Sequence, residues 1–66
     1  MPGKTSPAHA RAYFRRLAAR ERTKAAMARR DAAASQDAGE RLRLEALAEG
    51  HEATAAIYDQ RHDEVT

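Results

Sequence analysis

The residues best suited to chemistry in this chain are its three histidines, His9, His51 and His62, and the carboxylates that helical spacing can bring to them. Imidazole changes charge near neutral pH and is the commonest metal ligand, so a histidine beside a carboxylate is where acid–base work or metal binding would begin. His51-Glu52 opens like the two-histidine helix motif of zinc hydrolases, but Ala55 occupies the position that the second histidine requires. His51 and His62 are separated by roughly 16 Å along a helix, too far to share one ion. His9 and His62, with Asp59 or Asp63, meet only if the chain folds back on itself, and would then hold a metal only adventitiously. The chain has no cysteine, which excludes disulfides and thiolate zinc sites. It contains no glycine-rich phosphate loop, no serine in a nucleophile's setting and no paired-carboxylate cleft. The sequence therefore predicts no catalytic residue, no metal, no cofactor and no enzymatic activity.

Whatever these side chains do depends on helices. Ala, Arg, Glu and Leu dominate, aromatic residues are limited to Tyr13, Phe14 and Tyr58, and the chain has 66 residues. That composition favours helix and opposes a β-fold. Low mean hydropathy and abundant charge pull towards disorder. The regular spacing of the few large apolar residues pulls the other way. Residues 1–5 read as a flexible tail. Ser6-Pro7 is a helix start, with a capping hydroxyl followed by a proline whose missing N–H costs nothing. Nothing interrupts helix from residue 7 to 34. A turn is expected at 35–37, where Asp37 and Glu40 have the spacing of a capping box. A second helix is expected from 38 to about 62, with Gly50 inside it marking a place of close helix approach. The alternative is a single unbroken helix.

The two helices carry matching stripes. On the first, Ala10, Phe14, Leu17, Glu21, Ala25, Ala28 and Ala32 recur every three or four residues. On the second, Leu44, Leu47, His51, Ala55, Tyr58 and Val65 do the same. Folding back near residue 36 sets Phe14 by Tyr58, Leu17 by Ala55, Glu21 by His51, Ala25 by Leu47 and Ala28 by Leu44. Large then faces small in three of the five layers, and the two ionisable residues meet. The expected fold is all-α: an antiparallel two-helix hairpin in one domain, 6–66, pairing with a second copy as a four-helix bundle. A further stripe on the second helix, Leu42, Ala46, Gly50, Ala53 and Ile57, is left for a partner chain.

Charge is divided as sharply as the helices. Residues 1–34 carry a balance of +7 and residues 35–66 a balance of −5, which nearly cancel to +2. One consequence is pairing within the hairpin, which selects the correct register more than it adds stability. The other is a nucleic-acid contact through Arg11, Arg15, Arg22 and Arg29. With no signal sequence and no apolar run of membrane length, the expected setting is cytoplasmic and away from membranes. A chain this short buries little surface alone, so the sequence predicts a small binding or assembly protein that self-associates as a dimer or engages another macromolecule. Small nucleic-acid-binding regulator is its second reading.

Overall fold

The structure is a computed structural model and describes residues 6–65. Two helices pack against each other along their lengths: α1, Pro7–Ala34, and α2, Ala38–Glu64, with no strand among the described residues. α1 starts where Ser6 stands in extended backbone and its Oγ accepts from the N–H of His9 at 3.2 Å, one of the donors that a helix start leaves without a partner. α2 extends to Glu64, two residues past the end expected from sequence. Nothing breaks it before Val65, and Arg61 and His62 in its last turn suit the negative end of the helix dipole.

Only Ser35, Gln36 and Asp37 separate the helices. The Asp37 carboxylate accepts from the N–H groups of Gly39 at 2.9 Å and Glu40 at 3.3 Å. The hydroxyl of Ser35 accepts from the N–H of Asp37 at 3.2 Å, and its carbonyl accepts from Arg41 at 3.0 Å. The end of one helix and the start of the next are thus tied by Ser35, Asp37 and Arg41. So short a connection forces antiparallel neighbours.

The contact between the helices follows a strict heptad. With the seven places labelled a to g, the a places of α1 are Arg11, Ala18, Ala25 and Ala32, and its d places are Phe14, Glu21, Ala28 and Ser35. On α2 the a places are Arg41, which is exposed at the turn, Ala48, Ala55 and His62, and the d places are Leu44, His51 and Tyr58, with the cap residue Val65 continuing the row. Among the described residues the buried ones are six alanines, Ala18, Ala25, Ala28, Ala32, Ala48 and Ala55, and no larger side chain is fully buried. Phe14, Leu17, Leu44 and Tyr58 are half-buried at the margins. Methyl groups at the seam let two helices approach closely, and the larger side chains then close over its edges.

This arrangement corrects the layer assignments. Leu47 is 52% exposed and lies outside the hairpin core, whereas its neighbour Ala48 is wholly buried and clusters with Ala25 and Ala28. The reason is register: a seam that keeps its seven-residue period passes through residue 48, and Leu47 is turned onto the flank at g. On α1 the same shift buries Ala18 and leaves Leu17 half-buried at g. Gly50 does not mark a close approach within the hairpin, because a Cβ built on it meets nothing within 4 Å.

Two substitutions test this packing by urea unfolding. Ala25→Leu places three extra carbons in a seam with no room for them and is expected to cost about 1–3 kcal/mol. In the isolated hairpin Gly50→Ala adds a methyl in open space and is expected to raise the stability of the single chain by about 1 kcal/mol through helix propensity alone.

Candidate functional site

The two flanks of the hairpin differ in chemistry, and the heptad explains why. In an antiparallel pair of helices, e places face e places across one flank and g places face g places across the other. The e places of α1 are Arg15, Arg22 and Arg29. Those of α2 are Glu45, Glu52 and Asp59. Arg22 binds Asp59 through both guanidinium nitrogens, and Arg29 likewise binds both oxygens of Glu52, one of them at 2.8 Å. Such two-point pairing fits the planar fork of arginine. The guanidinium groups hold the carboxylates of Glu52 and Asp59 below their ordinary range, and each arginine is held more firmly protonated in return. Arg15 continues the row at the open end, with Nη2 3.3 Å from Nε2 of His62.

Of the arginines expected to meet nucleic acid, Arg22 and Arg29 are therefore engaged within the chain. Arg15 leans on His62, and Arg11 is half-buried at an a place. They form no open basic stripe. The exposed arginines of α1 that make no ion pair among the described residues are Arg15, Arg16, Arg20 and Arg30; Arg16 and Arg30 lie on its outer surface, and Arg20 stands at a c place between Tyr13 and Met27. Sequence reasoning placed Arg22 and Arg29 beside Arg11 on one side of the helix. The signal it passed over is the matching seven-residue row of acids, Glu45, Glu52 and Asp59, on α2.

At the centre of the seam, Glu21 and His51 form a polar layer, with Nδ1 of His51 2.8 Å from Oε1 of Glu21. A carboxylate only accepts, so Nδ1 carries the proton. The other carboxylate oxygen takes Lys24 at 3.2 Å. The hydrogen bond from His51, and then that from Lys24, hold the Glu21 carboxyl below its ordinary value. Phe14 and Tyr58 stack one layer set further out, ring centroids 6.4 Å apart. The other histidines are engaged separately: His9 Nδ1 lies 2.9 Å from the hydroxyl of Ser6, and His62 lies 3.1 Å from Asp63. Among the described residues no three His, Asp or Glu side chains gather as a metal site. The Glu21–His51 pair has the reach of a proton-exchanging couple. Its neighbours are helix surface and seam, and the surrounding grooves are shallow.

The opposite flank gathers large apolar residues, with Arg20, Lys24 and Asp31 beside them on α1. Tyr13, Met27, Leu47 and Ile57, four of the five exposed large apolar residues, occupy c or g places and so share this flank. Leu17 lies among them. The fifth, Leu42, 69% exposed, sits at b, towards the charged flank. The stripe expected from sequence, Leu42 through Ala46, Gly50 and Ala53 to Ile57, winds across the back of α2. All five of its residues are exposed, but Leu42 and Ile57 face different ways. The straight column is Leu47, Gly50, Thr54 and Ile57. The hydroxyl of Thr54 donates back to the carbonyl of Gly50 at 3.0 Å, which spends its polarity within the helix. Among the described residues no helix is long and apolar enough to cross a membrane.

The chain matches no protein-family model, no curated protein and no solved structure. The flanks and the seam are therefore the whole basis for assigning a role.

The charged groups give a pH test. Glu21, Glu52 and Asp59 titrate below their ordinary values of 4.5, 4.5 and 3.8 in the folded chain. A carboxyl whose folded value is depressed stabilises the fold above its ordinary value, and that contribution is lost as pH falls through the lower folded one. Tm is expected to fall as acid is added below pH 4.5, and Glu21→Gln is expected to flatten part of that fall. A Tm independent of pH over this range would remove the pairs from the stability of the hairpin.

Proposed function

We propose that this protein is a noncatalytic helical interaction module that self-associates and binds a macromolecular partner through the apolar c/g flank of the hairpin. One observation carries the reading. Tyr13, Met27, Leu47 and Ile57 are more than half exposed and share one flank, while the main charged groups of the other flank are spent on each other. Large apolar side chains collected on one side of a small domain mark a contact surface. Scattered singly, they would mark nothing.

The charge division supports the same reading. Arg–carboxylate pairs this exposed to solvent contribute little net stability. They do make one pairing of helices better than the alternatives, since two α1 helices or two α2 helices would set like charges along the whole e flank. The seam thus serves the internal fold and leaves the other flank to the partner. The nucleic-acid reading loses Arg22 and Arg29, which are paired with acids, and would have to use Arg15, Arg16 and Arg30, with Arg20 standing among the apolar residues of the c/g flank.

Affinity capture from the native cell, with and without nuclease, tests the proposal. The expected outcome is a protein partner that is retained after nuclease treatment and lost with Leu47→Glu or Ile57→Glu. Capture that vanishes with nuclease, or that depends on Arg15, Arg16 and Arg30 and is unaffected by the two Glu variants, would replace this reading with nucleic-acid binding.

A further inference from the structure

The c/g column of α2 reads the same in both directions. Outward from its centre stand Gly50 and Thr54, then Leu47 and Ile57, then Arg43 and Arg61, then Glu40 and Glu64. Small, large, basic and acidic follow in that order each way, at alternating spacings of three and four. A surface with this symmetry complements itself when a second copy is laid against it head to tail.

We infer that the occupant of the apolar flank is a second copy of this chain, with α2 packed antiparallel on α2 about a two-fold axis that crosses the helix between Gly50 and Thr54. This inference rests on the reading of that flank as the interaction surface and names what fills it. Reversal brings Leu47 of one copy to Ile57 of the other and Gly50 to Thr54, so backbones approach at the centre and large side chains interlock on either side. Tyr13 and Leu17 stand level with Ile57 in the same hairpin and wall the place that receives the partner's leucine. At each end, Glu40 and Arg43 of one copy meet Arg61 and Glu64 of the other. Two acids and two arginines then gather with no net charge, and unlike charges lie one helical turn apart. An isologous contact of this kind closes on itself and stops at two chains.

The hairpin's own core of six alanines leaves most of its large apolar side chains still to be covered.

Sedimentation equilibrium up to millimolar concentration, followed with helical circular dichroism, reads the mass. The expected mass is that of two chains, falling to one with Leu47→Glu while the helical signal persists. The absence of cysteine allows a second reading that does not depend on stability. Chains carrying Gly50→Cys mixed with chains carrying Thr54→Cys are expected to cross-link to each other on oxidation. Chains carrying Ala56→Cys, on the far side of α2, are expected not to. A single-chain mass at every concentration overturns the inference, as does a dimer that survives Leu47→Glu or cross-links only through Ala56→Cys. If the mass is that of one chain while Leu47→Glu still abolishes capture of a different protein, the two-fold pairing fails and the interaction surface stands. If Leu47→Glu changes neither mass nor capture, both fail.

Discussion

Two helices can come together only as closely as the side chains between them permit. In this hairpin that limit is set by alanine. Ala18, Ala25 and Ala32 repeat every seven residues on α1, and Ala48 and Ala55 answer them on α2. A methyl group at each of these places brings the backbones near one another, and much of the remaining structure follows. Near approach puts the e places of the two helices within reach of two-point arginine–carboxylate bonds. It also leaves no space for Leu17 or Leu47 in the seam, so these are displaced to its flank. The apolar flank and the charged flank are thus two products of one small-residue seam.

The polar layer has a related origin. A seam of alanines is shallow, so Glu21 and His51 at its centre keep contact with water while they bind each other. Removing a fully buried ion pair from solvent carries a heavy desolvation cost, and this pair avoids much of it. Glu21 divides its oxygens between His51 and Lys24, so the layer satisfies its hydrogen bonds without help from a third helix. Its effect is on register: sliding the helices by one turn would set Glu21 and His51 against alanines. Such a slip would also break the matched rows of Arg22 and Arg29 with Asp59 and Glu52.

The sequence made the hairpin legible because its boundaries are written in residues with one local meaning. Ser6-Pro7 opens a helix, Asp37 caps another, and nothing between them ends one. The pairings of Phe14 with Tyr58 and Glu21 with His51 were legible too, since those residues lie on the seam whether its period is counted as 3.5 or 3.6. Leu47 and Ala48 differ between these counts. A rule that seeks the largest apolar residue chooses leucine, whereas the geometry of close packing chooses alanine. Hydrophobicity therefore pointed to the wrong neighbour, and the seven-residue repeat of alanine pointed to the right one. The flanks were obscured for the same reason. Once the seam is shifted, Arg15, Arg22 and Arg29 become a row facing acids, and Tyr13, Leu47 and Ile57 become a surface.

The alanine core has a calorimetric consequence. Heat capacity rises on unfolding in proportion to the apolar surface newly exposed to water, and it falls with exposed polar surface. Here the apolar surface hidden within one chain is mostly methyl groups, while the polar backbone groups of two long helices are paired within them. The chain alone should unfold with an unusually small change in heat capacity, so its stability curve should be broad and flat, with little tendency to lose structure in the cold. Covering the leucine, isoleucine and tyrosine of the open flank would restore the curvature of an ordinary globular domain. The shape of that curve, apart from its height, thus reports how much of the hydrophobic effect lies inside the hairpin and how much lies between molecules.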